Sequence, residues 1–320
     1  MQKLSQTEEL ARSLAAKAHR HTLTTEQISR AMEEADFDIA QLDELYAALE
    51  QRGILLRRHI LELVRAAKAG HIGGDMSVVD ILHILYFREM RVSPARSGDP
   101  LRDRMILSKG HCMEAYYAVL CERGFLDYRD VLQGIGTFGT PYIGHPNCHL
   151  NGVEANSGSL GHGLPVGTGM ALAAKMDESP SRTYVVTGDG EWEEGSNWEA
   201  AMAAAQYGLD NLCLVIDRNR LQISGTTEQV MAHENMAERL SSFGWHTVTC
   251  RGNDYESLAA AFDEARGTRG RPTAILAQTV KGYGISFMED QVGWHHRVPT
   301  EDEYQQAMQE LEVKAHGLCQ

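Results

Sequence analysis

Between residues 42 and 68 the apolar side chains Leu45, Leu49, Ile54, Ile60, Leu61 and Val64 recur at helical spacing. The run stops at Gly70, with Gly73 and Gly74 close behind. The pattern predicts an amphipathic helix there and a second after the glycines, with Val78, Val79, Ile81, Leu82 and Leu85 facing inward. Further on, short apolar runs alternate with helical patterns. Residues 104–107, 183–187 (TYVVT), 212–217 (LCLVID), 246–250 and 273–278 read as strands; residues 115–122, 197–207, 236–243 and 255–266 read as helices. Short apolar strands separated by helices predict an α/β fold, a mostly parallel sheet covered by helices on both faces.

Two segments depart from that pattern. Residues 134–163 carry glycine at 134, 136, 139, 144, 152, 158, 161 and 163, and proline at 141 and 146. Such backbone cannot form an ordinary helix or central strand, and reads as a long loop that approaches a ligand closely. Residues 1–41 are polar and charged with little apolar content, and Thr24-Thr25-Glu26 could cap a helix. They are expected to form a helical arm, a surface hairpin or a partner-binding element. The expected organisation is an arm over 1–41 and one α/β domain over 42–320, with no repeat and no low-complexity linker.

Composition narrows the partners. The 320 residues are 43% hydrophobic and 23% charged, a globular balance, and the net charge of -14 argues against nucleic acid. A bound phosphate would need local donors or a metal to offset that field. The six cysteines show no CxxC spacing, so reduced thiols are expected, and Cys148-His149 alone makes a weak metal pair. The amino terminus has no signal-like apolar stretch and no segment reaches the ~18 apolar residues of a membrane span. A cytoplasmic enzyme is the expectation.

The most informative string is VVTGDGEWEEGSNWEAAMAAAQYGLDNLCLVIDRNRLQISG. Asp189 stands between Gly188 and Gly190 directly after a buried strand, at the carboxyl edge where α/β sheets bind ligands. The glycines permit a turn that would bring amides near a phosphate. After a helix and a second strand, Asn219 emerges at the same edge. One carboxylate, one amide oxygen and one backbone carbonyl suit Mg²⁺, which takes its remaining oxygens from phosphate and water. A lone GDG is most often a turn; a GDG and an Asn on a strand–helix–strand frame are not explained that way.

This string resembles the thiamine diphosphate fingerprint, and with Glu194-Gly195 after the triplet it is similar to transketolases. The resemblance implies the thiamine diphosphate-binding fold, in its diphosphate-binding domain. The implied metal ligands are Asp189, Asn219 and the carbonyl of Leu221, for Mg²⁺ (or Ca²⁺ or Mn²⁺). Arg218 stands where many members have a second Asn. Further segments carry the likeness: Gly70-His71-Ile72-Gly73-Gly74 resembles GHxGG, Leu107-Ser108-Lys109-Gly110-His111 resembles LSxGH, and Gly144-His145-Pro146 resembles GHP. Ser157-Gly158-Ser159-Leu160-Gly161 resembles TGPLGQG, with His162 for the usual Gln. Lys281-Gly282-Tyr283-Gly284 and Trp294-His295-His296 resemble KGxG and WHG, with His296 in place of Gly.

By that likeness His71, His145 and His295 are implied catalytic histidines, and Glu194 a carboxylate linking neighbouring cofactor sites across a subunit interface. His111, Gly158, Leu160, Gly188, Gly190, Glu191, Asn219 and His295 are implied to bind the cofactor. Histidines suit such a site because they donate to phosphate and sugar hydroxyls and move protons near neutral pH. Of fourteen histidines, His19, His21, His59, His83, His233 and His316 read as surface or core residues, and the roles of His149, His162 and His296 stay open.

The likeness covers about residues 42–300 and then stops, whereas a complete transketolase is about twice as long. Its second domain binds the pyrimidine of the cofactor and carries the activating Glu. The resemblance therefore implies the diphosphate-binding subunit of a split transketolase, working with a C-terminal transketolase subunit in an α2β2 assembly on sugar phosphates. The implied reaction moves a two-carbon ketol unit from a ketose to an aldose through thiamine diphosphate. Two other readings compete: the α subunit of a thiamine-dependent 2-oxoacid dehydrogenase, against which the GHxGG, LSxGH and WHH segments argue, and a non-catalytic cofactor-binding regulatory subunit.

Overall fold

A computed structural model describes residues 39–232 and 235–318. Five strands form one sheet: β1 (Arg104–Leu107), β2 (Thr183–Gly188), β3 (Leu212–Arg218), β6 (His246–Arg251) and β7 (Thr273–Gln278), in the order β1-β2-β3-β7-β6. All neighbours are parallel. A two-residue hairpin, β4 (Leu221–Gln222) with β5 (Gly225–Thr226), follows β3. The five strands are those predicted; β2, β3 and β7 are buried almost throughout, as a sheet covered on both faces requires, while edge strand β6 is largely accessible.

The helices in chain order are α1 (Ile39–Ala67), α2 (Ile72–Ile84), α3 (Met113–Glu122), α4 (Tyr128–Gly134), α5 (Gly163–Met176), α6 (Gly195–Gln206), α7 (Thr227–Val230), α8 (Met236–Ser242), α9 (Tyr255–Gly267) and α10 (Glu301–Gly317). One face of the sheet carries α5, α6 and α8, whose Leu164, Ala171, Ala201, Ala204 and Leu240 pack with Val185, Leu214, Ile216 and Leu276. Trp192 and Trp245 complete that layer, and Trp245 Nε1 donates to the carbonyl of Ala201 at 2.8 Å. On the other face α9 meets the sheet through Phe262 and Tyr184. Helix α2, every residue of which is buried, packs against α3 and α9.

Burial of α2 is made possible by pairing its charge. Asp80 accepts from both terminal nitrogens of Arg57, from Asn253 and from the Tyr255 hydroxyl. Burial pushes the Asp80 carboxyl up, but Arg57 and these donors outweigh it, and its pKa lies below the ordinary value. His83, read as a surface or core residue, is buried beside Tyr255, whose hydroxyl lies 2.8 Å from its Nδ1.

Four helices were not anticipated: α4, α5, α10 and the single turn α7. Helix α5 was concealed by its glycines, which serve packing: a Cβ at Gly167 would lie 2.3 Å from Val185 Cγ2, so its absence lets the helix sit close on β2. Helix α10 opens on a capping box between Thr300 and Glu303, a signal visible in the sequence. Helix α4 is capped by Asp127. Between α4 and α5 the chain is irregular, as its glycine content predicted.

The chain divides into two units, with the division between Glu50 and Gln51. The expected boundary after residue 41 falls inside α1, and the predicted arm lies outside the described residues up to residue 38. Among the described residues no helix is long and apolar enough to cross a membrane. Cys112, Cys121, Cys148, Cys213 and Cys250 are free thiols, and Cys148 and His149 are exposed.

Candidate active site

Parallel pairing brings four strand ends to one edge. Leu107 pairs with Val186, Gly188 with Asp217, and Arg218 with Gln278. The residues just beyond these pairs, Ser108-Lys109, Asp189, Asn219 and Thr279-Val280-Lys281, therefore emerge side by side. This is the carboxyl-end crevice where open α/β sheets receive ligands.

Asp189 is buried there, capping the short 3₁₀ turn Gly190–Glu193. Its Oδ1 accepts the Gly190 N–H at 2.9 Å and its Oδ2 the Arg220 N–H at 2.6 Å, which ties the loops after β2 and β3 together. Asn219 Oδ1 accepts the Leu221 N–H at 3.1 Å. The Leu221 carbonyl accepts from Lys281 Nζ at 2.9 Å, so this oxygen already faces a cation. Burial pushes the Asp189 carboxyl up to about 6, as expected of a buried carboxylate lacking a counter-charge of its own. Among the described residues no three His, Cys, Asp or Glu side chains converge as a metal cage. The donor set is instead one carboxylate, one amide and one carbonyl, all hard oxygens, which fits a divalent cation that completes its shell with external oxygens.

Asp217 joins four elements beneath this edge. It accepts from Lys109 Nζ at 2.5 Å, from Ser77 Oγ at 2.7 Å and from Thr279 Oγ1. Burial alone would lower the Lys109 pKa; the hydrogen-bonded Asp217 carboxylate, with Asp189 beyond it, overcomes that, and the ammonium stays charged. Lys281, also buried, is lowered to about 8 by desolvation and by Lys109. Two buried ammonium groups thus lie at the crevice of a chain with net charge -14. Lys109, Lys281, Asp217 and Ser77 were missed as site residues, although both lysines sit inside the LSKGH and KGYG strings.

The histidines of three separate loops meet. The His71 ring centroid is 5.0 Å from that of His111, 5.6 Å from His295 and 4.6 Å from His296, and His111 stacks 5.7 Å from His295. A Cβ at Gly73 would lie 2.6 Å from the Trp294 carbonyl, so the bare glycine lets the WHH segment close against the start of α2. Burial, then neighbouring positive groups, lowers His71 to about 4 and His295 to about 3, and takes His111 well below its ordinary value. Lys281 Nζ lies 2.8 Å from His295 Nδ1. An ammonium cannot accept, so Nδ1 is the acceptor and the His295 proton sits on Nε2. His145 stands apart from this ring cluster, against Gly158, yet close enough to disfavour protonation of His71. His296, left open by the sequence, joins the cluster on its exposed side; His149 and His162 do not. His162 Nδ1 lies 3.1 Å from the carbonyl of Leu160.

Around the GDG triplet the Gly188 N–H donates to Glu191 Oε2 at 3.0 Å and the Gly190 N–H to Asp189 Oδ1. Glu191, expected at the cofactor, is turned inward: its Oε1 accepts from Ser108 Oγ and from the Gly161 N–H at 2.9 Å. Its carboxylate joins three loops. Glu194 is exposed at the N-terminus of α6, Gly158 is exposed, and Leu160 is partly exposed.

The neutral rings set an acid limit. A histidine whose folded pKa is depressed contributes stability above its unfolded pKa, near 6.5, and loses it as pH falls toward the folded value. The melting temperature is expected to drop from about pH 6.5 to about pH 4, more steeply than in the H71Q/H295Q double variant. Thermal melts across that range check it.

The family model described as transketolase, thiamine diphosphate binding domain, matches residues 53–317, and the chain belongs to the transketolase family. It is 48% identical over 262 residues to one subunit of the apulose-4-phosphate transketolase of Phocaeicola vulgatus, covering 82% of this chain and 93% of that protein. It is 36% identical over 272 residues to a 6-deoxy-6-sulfo-D-fructose transketolase subunit of a Clostridium species, covering 85% and 98%. A solved transketolase variant from Pichia stipitis superposes with a TM-score of 0.75 at 29% identity, covering 84% of this chain and 44% of that one. The chain thus spans somewhat under half the length of that solved enzyme, and nearly the full length of the two subunits.

Proposed function

We propose that this chain is the diphosphate- and metal-binding subunit of a two-component transketolase. It would move a two-carbon ketol unit from a ketose phosphate to an aldose phosphate, in complex with a second subunit that binds the pyrimidine of the cofactor. The observation that supports the reading is that Asp189 and the segment Asn219–Leu221 are tied together at one sheet edge, beside two buried lysines and a histidine cluster. Relatives that are matched over nearly their own full length are themselves named as transketolase subunits, which supports the two-component form.

Asp189, Asn219 and Leu221 would hold Mg²⁺, and His111, Lys281 and backbone near Gly158 and Leu160 would meet the diphosphate. Bound thiamine diphosphate supplies the nucleophilic carbon and the electron sink for carbon–carbon cleavage. The chain's own residues do the rest. Lys109 and Lys281 offset the negative field around the diphosphate. His295, its Nδ1 fixed by Lys281, offers its Nε2–H as a donor, and neutral His71 and His145 can accept or return sugar hydroxyl protons. Glu194, exposed at the start of α6, is available to an adjoining protomer.

The test sets ketose phosphate donors with aldose acceptors, and separately a 2-oxoacid with an electron acceptor, before the chain and its partner subunit. Elongation of the aldose by two carbons supports the reading. Oxidation of the 2-oxoacid without ketol transfer would replace it with the dehydrogenase reading, and cofactor binding without turnover would favour a regulatory subunit.

A further inference from the structure

Beneath the loop that carries His71 lie two carboxyls that none of the chemistry above uses. Asp75, in the first turn of α2, is 0% exposed, and Glu114, in the first turn of α3, is 2% exposed. The two carboxyls are neighbours, because Asp75 is held by the backbone of the residue that follows Glu114. Asp75 Oδ1 accepts the Ala115 N–H at 3.0 Å, while Asp75 Oδ2 and Glu114 Oε2 meet no donor among the described residues. A carboxylate can only accept, so two buried neighbouring carboxyls whose Oδ2 and Oε2 meet no donor are satisfied only if one of them retains a proton and gives it to the other.

No neighbour removes that need. The titratable groups facing the pair are Lys109 and Cys112, on the loop after β1, and Tyr117 on α3. The Lys109 ammonium is already paired with Asp217, and burial pushes the Cys112 thiol and the Tyr117 phenol up, which keeps both neutral.

The place of the pair gives it a task. His71 caps α2 immediately before the turn that holds Asp75, and His111 lies three residues before Glu114. A Cβ at Gly70 would lie 2.7 Å from Glu114 Oε1, so the His71 loop rests directly on the pair. We propose that Asp75 and Glu114 share a proton at neutral pH, and that this proton clamps the starts of α2 and α3 and so sets the spacing of His71 and His111. The two are positioning residues. The clamp stands on the geometry alone; its bearing on ketol transfer rests on the function proposed above.

Burial supports the proton's retention: it raises Asp75 to about 7 and Glu114 well above the usual carboxylate range. Since both folded pKa values are raised, the pair's contribution to stability is full below the ordinary carboxylate pKa and is lost as pH rises through the folded values. In E114Q the amide donates permanently and that loss should shrink.

The experiment joins three readouts on the full chain. Infrared spectra of the wild type at pH 7 should show a protonated carboxyl band that E114Q lacks. Melting temperature should fall between about pH 5 and pH 9 more steeply in the wild type than in E114Q. In the complex with the partner subunit, E114A should lose about 100-fold in kcat, the cost of a catalytic group displaced by about 1 Å, with KM little changed, and E114Q should restore most of that loss. A wild type without the band, or an E114Q with the wild-type pH slope, overturns the clamp. Band and slope as expected in a complex that transfers no ketol unit would uphold the clamp and count against the proposed function instead.

Discussion

Replacing Asp189 with alanine is expected to abolish metal-dependent binding of thiamine diphosphate while leaving the chain folded. Among the three oxygens offered by Asp189, Asn219 and Leu221, the Asp189 carboxylate is the one that carries charge. Mg²⁺ held by few protein ligands depends on that charge to offset its dehydration. Loss of more than about 100-fold in affinity, or roughly 2.8 kcal/mol or more, is the expected scale. Folding should survive because removing a buried carboxylate also removes its desolvation cost, seen in the rise of its pKa to about 6. The freed N–H groups of Gly190 and Arg220 lie at a polar edge within reach of water. Calorimetric titration of the cofactor, with and without Mg²⁺, measures the effect; undiminished affinity in D189A would refute the metal assignment.

The second large effect is expected at Glu191, through structure instead of direct contact. Its two oxygens accept from Ser108 on the loop after β1, from Gly161 at the end of the glycine-rich segment, and from Gly188 at the end of β2. Every partner is a donor, so E191Q would set an amide N–H₂ against at least one of them inside the protein. Breaking a buried charged network in this way costs about 3–5 kcal/mol. For a domain of this size that corresponds to a fall in melting temperature on the order of 10 °C. Cofactor affinity should fall too, because the loops bearing His111, Leu160 and Asp189 lose their common anchor. A melting temperature within about 2 °C of wild type would show that the three loops hold their places without it.

Much of the fold was legible because buried parallel strands leave a strong signal. Residues 183–187 and 212–217 are apolar on both faces, and each ends where its ligand-bearing loop begins. The glycine string of α5 misled because glycine was read for backbone freedom, whereas Gly167 serves a close contact with Val185. That distinction depends on what stands opposite, which periodicity cannot report. The capping box of α10 was legible and overlooked.

At the candidate site, the GDG string and the histidine loops marked segments that the structure brings to one edge of the sheet, but not the traffic of hydrogen bonds among them. Glu191 was assigned to the cofactor by the resemblance alone, and the burial of its side chain follows only from the turn Gly190–Glu193 pointing it back beneath the strand end. Asp217 lies in an apolar strand, and nothing local marks it as the anchor of Lys109, Ser77 and Thr279. Lys281 lies within the KGYG string, yet its contacts with Leu221 and His295 join segments 60 and 14 residues away. Such pairings come from the strand order, in which β7 is inserted between β3 and β6.

The central claim is that this chain, with a second subunit, thiamine diphosphate and a divalent metal, carries a two-carbon unit between sugars. Mass analysis of an aldose acceptor incubated with a ketose phosphate labelled at its first two carbons tests it most directly. The account predicts a product that carries both labelled carbons when chain, partner, cofactor and metal are all present, and none when any of them is withheld. Labelled product from the chain and cofactor without the partner would contradict the two-component account, and no labelled product from the complete mixture across ketose phosphates would contradict ketol transfer itself.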